Sequence, residues 1–261
     1  MKNFFKEFLS KVFIFSFRNF PVKFNLFLAK IFKKIYDLLL LSNYTKDRYV
    51  NLNIENNKFK LFIMKNDLQA QTTYLPLHNL NKTYETVLVK ILLNLLKNMK
   101  NPVFMDIGSH MGYYANLTTK FLDDKFKVYA IESNPNYCKY IETSKIKNKF
   151  NNLEIINETL SDKSENFFIK NETALNKSLG NDKDSIKIKS DTLDNILRKK
   201  NISPNILKID VHGVEGKVLL GSKNILEKSV KYILLELHSN EYISKYSDNM
   251  NRRDIILLLV E

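Results

Sequence analysis

The chain has 261 residues, 44% of them hydrophobic, so it can bury the core of one α/β domain with an appendage but is short for two full domains. Its formal net charge of +13 comes almost entirely from lysine, with only five arginines. Because arginine makes the bidentate contacts to phosphate and guanine, we expect no nucleic-acid partner. The single cysteine, Cys138, excludes an intramolecular disulfide and a cysteine-rich zinc site, and is consistent with a cytoplasmic protein.

Residues 1–45 are predicted to form a basic helical extension. Phenylalanine and leucine recur at helical spacing on both sides of Pro21, with lysines between them, which indicates two amphipathic helices. No stretch reaches the roughly 18 to 20 apolar residues of a spanning helix, and no signal-peptide pattern is present. Two interpretations remain: peripheral contact with the inner face of a membrane, or a helical hairpin packed on the catalytic domain or on a second subunit.

Residues 46–101 are predicted to form a strand hairpin and a helix that lead into the core. Apolar and polar residues alternate over residues 48–54 and 58–64, on either side of a turn at residues 55–57. Residues 83–99 read as a helix with one apolar face, formed by Val87, Leu88, Ile91, Leu92 and Leu95.

Residues 102–261 have the alternation of short apolar runs and helical segments that is typical of a parallel sheet covered on both faces. Strands are predicted at residues 103–107, 127–131, 153–156, 206–211 and 230–237. Helices are predicted at residues 111–122, 135–149, 192–199 (capped by Asp191) and 214–226, with an inserted hairpin over residues 166–189. The predicted fold class is therefore α/β, Rossmann-like, with a mostly parallel sheet.

The junction between the first parallel strand and its helix carries the main chemical signal. Asp106 ends the strand at the edge where open α/β sheets bind ligands. Gly108 and Gly112 allow a sharp turn and close approach of the backbone to a ligand. Glu132, at the end of the next strand, can accept both hydroxyls of a ribose.

That ribose could belong to a dinucleotide or to S-adenosyl-L-methionine. The loop is Gly-x-x-x-Gly and lacks the Gly-x-Gly-x-x-Gly spacing that binds a pyrophosphate. An acidic residue before the loop is poorly placed beside a diphosphate, but suits a sulfonium and an ammonium group. The pattern therefore favours S-adenosyl-L-methionine.

Further segments, in order, make the chain resemble the FkbM-type methyltransferases over roughly residues 102–238. They are Thr192-Leu193-Asp194, Leu207-Lys208-Ile209-Asp210-Val211-His212-Gly213-Val214-Glu215, Leu219-Leu220-Gly221 and Leu235-Glu236-Leu237-His238. The resemblance implies a class I methyltransferase fold and S-adenosyl-L-methionine-dependent O-methylation, mainly of sugar and polyketide hydroxyls. It implies binding of the cofactor by Asp106, Gly108, Ser109, Gly112, Glu132, Leu160 and Asp210, with residues 157–162 near the adenine.

The chain departs from the family pattern at three places. Ser109-His110 stands where Ala-Asn is usual, and His212 stands where an acidic residue is most common. The family sheet normally continues with a C-terminal strand hairpin. We expect that hairpin to be shortened or missing, since residues 252–260 can supply one more helix or strand and little else.

Methyl transfer to an alcohol is an in-line displacement that benefits from a base close to the hydroxyl. Four residues near the carboxyl ends of the fourth and fifth strands are candidates: Asp210, His212, Glu215 and His238. Each also has a structural interpretation, such as helix capping for Asp210 or stabilisation of the helix dipole for Glu215, and Lys208 could pair with a neighbouring carboxylate. Asp210, Glu236 and His238 were weighed as ligands of a divalent metal, but their spacing is not diagnostic and no metal is predicted.

The leading hypothesis is an O-methyltransferase acting on a glycan or other small hydroxyl acceptor in the cytoplasm, with possible contact with the inner membrane face. A methyltransferase acting on RNA or protein is an alternative, as is an inactive or truncated remnant that keeps the cofactor fold. The oligomeric state has no signature in the sequence.

Overall fold

The computed structural model describes residues 47–64, 67, 74, 83–123, 125–170, 185–247 and 250–260. The two predicted N-terminal helices lie outside the described residues, as do residues 171–184 of the predicted insert. Contacts divide the chain into two compact units, residues 1–47 with 65–68, and residues 48–64 with 69–261. Every helix and strand below belongs to the second unit. None of the helices in the described ranges has both the length and the apolar character needed to cross a bilayer.

The described part of the chain contains ten strands and eight helices. They are β1 (Arg48–Ile54), β2 (Asn57–Ile63), α1 (Thr86–Asn98), β3 (Phe104–Ile107), α2 (Tyr113–Leu122), β4 (Val128–Ile131), α3 (Pro135–Asn148), β5 (Leu153–Ile156), β6 (Thr159–Leu160), β7 (Asn166–Lys170), β8 (Ser185–Asp191), α4 (Leu193–Lys200), β9 (Ile206–Ile209), α5 (Glu215–Leu220), α6 (Lys223–Lys228), β10 (Tyr232–Leu235), α7 (Asn240–Tyr246) and α8 (Arg252–Leu257).

The central sheet has five parallel strands in the order β10-β9-β3-β4-β5. Its strands are apolar because both faces are covered. Phe104, Val128 and Ile206 face one hydrophobic cluster, while Met105, Ile107 and Leu207 face the other. Along the chain, β4 and β5 are added on one side of β3, and β9 and β10 are then added on its other side. The carboxyl ends of β3 and β9 therefore flank the crevice where such sheets bind ligands. The predicted Rossmann-like α/β fold is confirmed.

The hairpin of β1 and β2 is confirmed, with Glu55 and Asn56 in the left-handed conformation at its turn. The second strand packs on α2 and α3. Side chains of α3 satisfy its edge: Asn148 accepts from the N–H of Lys60 and donates to the Lys60 carbonyl, and Ser144 accepts from the N–H of Phe62. The hairpin edge is thus closed to further strand pairing at these positions.

The predicted inserted hairpin is present as the antiparallel pair of β7 and β8. The short β6 pairs in parallel with β8, which gives a second sheet of order β6-β8-β7 beside the central one.

Three local predictions were wrong at least in part. On α1, Leu92 is buried as predicted and Leu88 and Leu95 pack partly on the core, but Val87 and Ile91 are 74% and 47% exposed. The other buried side chains are Val89, Leu93 and Leu96. The helix is apolar around most of its circumference, so periodicity alone selected a face rotated from the buried one.

The second error concerns residues 214–226, which form two helices, α5 and α6, separated by Gly221 and Ser222. A Cβ at Gly221 would lie 2.2 Å from the Ser161 carbonyl oxygen, so a tertiary contact fixes the backbone there. The third error is the cap of α4. Thr192 caps the helix by accepting from the N–H of Asn195, whereas Asp191 accepts from the N–H of Thr192 and pairs with Lys199.

Candidate active site

Asp106 lies inside the protein at the carboxyl half of β3, only 1% exposed. Its Oδ2 accepts from the N–H of Ala115 in the first turn of α2, at 3.2 Å. Burial raises the pKa of Asp106, and the nearby Lys208 opposes that change. Its other oxygen, Oδ1, has no hydrogen-bond partner among the described residues. A buried acceptor in this state is suited to a cationic group of a ligand.

The two loop glycines are required by contacts within the protein. Gly108 has φ +76°, and a Cβ there would lie 1.9 Å from the carbonyl oxygen of Asp210. Gly112 has φ +80°, and its Cβ would meet Asn116 and Ile141 at 2.9 Å. The missing Cβ atoms admit the loop after β9 and the side chains of α2 and α3. Close approach of the loop backbone to a ligand stays a prediction.

The loop amides are also used inside the protein. The N–H groups of Gly108 and Ser109 donate to the Ile131 carbonyl, and the hydroxyl of Ser109 donates to the Asp106 carbonyl at 2.7 Å. These bonds tie the loop to the ends of β3 and β4. Ser109 therefore shapes the loop, and its hydroxyl does not point away from the protein.

Glu132 follows β4 and is held by two backbone donors. Its Oε1 accepts from the N–H of Asn134 and its Oε2 from the N–H of His110, each at 2.8 Å. The imidazole of His110 in turn packs on Tyr137, with ring centroids 4.2 Å apart. The two backbone bonds therefore fix the orientation of the carboxylate at the end of β4.

Lys208 joins the two halves of the sheet edge. It is 4% exposed, and its Nζ lies 3.1 Å from Asp210 Oδ2 and 3.8 Å from Asp106 Oδ1. The same ammonium lies 4.9 Å from the ring centroid of Tyr114, whose hydroxyl donates to Glu85. Burial alone would lower the pKa of Lys208, but the two carboxylates outweigh it and raise the pKa. Pairing of Lys208 with a neighbouring carboxylate, one of the sequence interpretations, is confirmed. Tyr114 and Glu85 were missed, and their only signal was the aromatic pair after Gly112.

Asp210 and His212 lie together just beyond the end of β9. His212, 38% exposed and at φ +55°, places its Nδ1 3.5 Å from Asp210 Oδ1. Burial would raise the pKa of Asp210, but Lys208 and then His212 lower it below its usual value. Asp210 is therefore a carboxylate with Oδ2 on the lysine and Oδ1 directed at the imidazole.

His238 and Glu215 form the second half of this group. Glu215 is fully buried, and its Oε1 accepts from the Gly213 N–H at 3.0 Å and lies 2.6 Å from His238 Nδ1. The rings of His212 and His238 are 5.0 Å apart, and Tyr242 of α7 stacks on His238 at 5.4 Å. Glu215 thus lies behind His238 and positions it. Tyr242 was not anticipated from the sequence.

Two other residues singled out in the sequence lie outside the cluster of Asp210, His212 and His238. Leu160, expected near the adenine, is a buried member of the hydrophobic cluster that contains Met105 and Ile131. Glu236, weighed as a metal ligand, is separate from the group in which Asp210, His212 and His238 bring their potential ligand atoms within 4.8 Å of one another. Burial, and then the charge of Asp210, raises the pKa of Glu236.

A family model described as the methyltransferase FkbM domain matches residues 106–257, which include every side chain of this edge from Asp106 to His238. The chain belongs to the FkbM methyltransferase family. This makes it an S-adenosyl-L-methionine-dependent methyltransferase, as the loop pattern indicated.

Solved structures with similar folds include three methyltransferase-related proteins at low identity. A precorrin-6y C5,15-methyltransferase from Geobacter metallireducens is 15% identical, with 64% of this chain and 70% of that chain covered and a TM-score of 0.37. Fibrillarin from Aeropyrum pernix with bound S-adenosyl-L-methionine is 14% identical, with 66% and 63% covered and a TM-score of 0.38. An S-adenosylmethionine-dependent O-methyltransferase from Thermotoga maritima is 12% identical, with 80% and 61% covered and a TM-score of 0.37.

For the last two structures the chain spans less than two thirds of the relative's length. No curated protein sequence matches the chain.

The site residues fit the cofactor that the FkbM family uses. Oδ1 of Asp106, which has no hydrogen bond among the described residues, can accept from the ammonium of the methionine part, and Glu132 is oriented to accept from the ribose hydroxyls. Their separation on neighbouring strands matches a ligand that lies across the carboxyl edge of the sheet. Roles for the individual residues remain predictions.

Proposed function

We propose that this methyltransferase acts on a hydroxyl group of a sugar or another small acceptor. The observation that carries the proposal is the cluster of Asp210, His212 and His238 beyond β9 and β10, beside the cofactor loop. A hydroxyl is a poor nucleophile until it loses its proton, so its methylation benefits from a polar group that binds the oxygen and removes the proton. A carboxylate with two imidazoles supplies both functions.

The cofactor supplies a methyl group on a positively charged sulfur, which leaves as a neutral thioether. The residues of the chain have the remaining tasks. Asp106 and Glu132 hold the two ends of the donor, and Gly108 keeps the donor loop against the backbone of Asp210. The acceptor oxygen lies at the cluster of Asp210, His212 and His238. Its O–H bond breaks and the proton passes to the cluster, the oxygen–methyl bond forms, and the carbon–sulfur bond breaks. Alignment of the oxygen behind the methyl carbon provides most of the acceleration.

Lys208 supports this arrangement without contacting the acceptor. Its ammonium fixes Oδ2 of Asp210 and leaves Oδ1 directed towards His212. Because the lysine also attracts Asp106, a single buried charge sets the positions of one carboxylate on the donor side and one on the acceptor side.

The proposal is tested with the purified full chain and S-adenosyl-L-methionine labelled in its methyl group. Free sugars, nucleotide sugars, transfer RNA and an unfolded protein are offered as separate acceptors. We expect label in a sugar-class acceptor, as a base-stable ether whose mass rises by one methyl group. His212→Asn should lower kcat and leave the affinity for S-adenosyl-L-homocysteine unchanged.

Label in RNA or protein alone would contradict the acceptor class. Binding of S-adenosyl-L-homocysteine without transfer to any acceptor would favour a non-catalytic member of the family.

A further inference from the structure

We propose that Asp210, His212 and His238 bind a divalent first-row transition-metal ion such as zinc or manganese. Each residue offers one ligand atom, and these atoms lie within 4.8 Å of one another. Two imidazoles and one carboxylate favour a transition metal over magnesium, whose preferred ligands are oxygens. Because only three protein ligands are present among the described residues, positions on the ion stay open.

The separation of the first two donors suits a shared ion. His212 Nδ1 and Asp210 Oδ1 are 3.5 Å apart. Two donors that each bind a metal at about 2.1 Å, at roughly the tetrahedral angle, are about 3.4 Å apart. The distance between these two donors therefore already matches a shared ion.

Each of two ligands has one atom engaged by the protein and another left for the ion. Asp210 uses Oδ2 for Lys208, while its Oδ1 is buried and has no hydrogen bond among the described residues. His238 uses Nδ1 for Glu215, which leaves Nε2 as the metal-binding nitrogen. A metal-ligating histidine whose other nitrogen contacts a carboxylate is a recurrent arrangement, because the carboxylate fixes the tautomer and the ring orientation.

Glu215 is itself held firmly for this task. It is fully buried, accepts from the Gly213 N–H, and has no other charged partner than His238 among the described contacts. A buried carboxylate that contacts a histidine at 2.6 Å is compensated either by protonation of the imidazole or by a cation on the far side of the ring. An ion bound at Nε2 would be that cation.

The ammonium of Lys208 counts against a cation at this edge. It is offset because Asp106 and Asp210 both pair with that lysine, and Glu215 adds a third carboxylate beside His238. With an exposed imidazole at His212, the open side of the ion faces the solvent, from which an acceptor arrives.

The role of the ion deepens the proposed function and rests on it. With an ion bound, Asp210, His212 and His238 would hold the metal instead of taking the proton themselves. The ion would bind the acceptor hydroxyl and lower its pKa, the proton would pass to water, and the oxygen would attack the methyl carbon as the carbon–sulfur bond breaks. Metal binding itself does not depend on methyl transfer.

The test uses the tag-free full chain after dialysis against a chelator, with Co²⁺ as a visible-light probe and Zn²⁺ as its competitor. We expect one Co²⁺ per chain, with the strong absorption of a site that has fewer than six ligands, displaced by Zn²⁺ but not by equal Mg²⁺. His212→Asn and His238→Asn should each weaken binding by at least about 100-fold. Glu215→Gln, which keeps the shape of the side chain, should weaken it about 10- to 100-fold.

His110→Asn is the matched control, because His110 and His212 both have a positive φ that asparagine tolerates, and it should bind Co²⁺ as the unchanged chain does. Binding of S-adenosyl-L-homocysteine is measured on every variant. A chain that binds S-adenosyl-L-homocysteine but neither Co²⁺ nor Zn²⁺ would overturn the metal site and leave the methyltransferase proposal standing. Metal binding that survives both His212→Asn and His238→Asn would also overturn it.

Discussion

The proposed donor side (Asp106 and Glu132) and the proposed acceptor side (Asp210, His212 and His238) of the sheet edge are built from different kinds of contact. On the donor side, Glu132 and Asp106 accept hydrogen bonds from backbone N–H groups. On the acceptor side, Asp210, His212 and His238 contact other side chains, and they are more exposed. The donor side is therefore fixed by the path of the backbone, whereas the acceptor side depends on the identity of a few side chains.

This difference matches what each side must recognise. A site fixed by the backbone suits a methyl donor that stays the same. Side-chain contacts can change without altering the fold, which suits the recognition of an acceptor. Substitutions of residues that contact both sides should have the largest effects on stability and cofactor binding, and substitutions confined to the acceptor side should have the smallest.

Gly108→Ala should have the largest effect, because it pushes the two sides apart. The new Cβ would lie 1.9 Å from the Asp210 carbonyl oxygen, and the residue would be held at φ +76°. We expect a loss of about 3 kcal/mol or more in the free energy of unfolding, from overpacking and left-handed strain together. Urea denaturation measures it, with Gly216→Ala as control, since its Cβ meets side chains and no backbone: the flexible Met250 at 2.7 Å and Ile255 at 3.2 Å. Equal losses in the two variants would contradict the prediction.

Lys208→Met should follow, because it leaves two carboxylates buried without their shared cation. We expect a loss of about 3 to 5 kcal/mol in the free energy of unfolding. Lys199→Met is the matched control: Lys199 also pairs with an aspartate, at 2.7 Å, but is 65% exposed and should cost less than about 1 kcal/mol. Thermal and urea unfolding of both variants would show whether Lys208→Met loses more stability than Lys199→Met. A loss below about 1 kcal/mol for Lys208→Met would mean that the lysine does not bind the two sides together.

Glu132→Gln should weaken S-adenosyl-L-homocysteine binding by about 10- to 100-fold. The amide loses the negative charge and brings its NH₂ towards a backbone N–H of Asn134 or His110, so both the hydrogen bonds and the orientation suffer. Calorimetric titration measures the affinity, and thermal unfolding shows whether the variant stays folded. Unchanged affinity in a folded variant would remove Glu132 from the cofactor site.

His212→Asn should have the smallest effect on the donor side. We expect a change below about twofold in S-adenosyl-L-homocysteine affinity and about 0.5 kcal/mol or less in stability, because the ring is partly exposed and asparagine accepts its positive φ. The same titration and unfolding experiments apply. A large loss of cofactor affinity would show that the two sides are not separable.

Much of the fold could be predicted from the sequence, because buried parallel strands appear as short apolar runs between helical segments. The strand from Leu153 to Ile156 and the start of the helix at Pro135 agree with the structure, as do the hairpin on either side of Glu55 and Asn56. Because the carboxyl ends of parallel strands meet at one edge of a sheet, the sequence also predicted that Asp106, Glu132, Asp210 and His238 lie along the same edge.

What could not be predicted depends on contacts between distant parts of the chain. The break at Gly221 arises from the Ser161 carbonyl, and the bridging position of Lys208 requires β9 to lie beside β3. The partnership of Glu215 with His238 requires the segment after β10 to lie against the start of α5, which no local pattern encodes. The apolar circumference of α1 likewise left its buried face undetermined.

The contact between Gly108 and the Asp210 carbonyl has a consequence for how such an enzyme can diversify. On the side of β9 the contact is made by the main chain, and the N–H of Asp210 adds a bond to the Ile107 carbonyl. Neither depends on which side chain stands at the position. The position of Gly108 thus accepts no side chain, whereas the side chains of the loop after β9 can be replaced while the loop that holds the methyl donor keeps its place. New acceptors can be reached by substitution after β9 without rebuilding the machinery that holds the methyl donor.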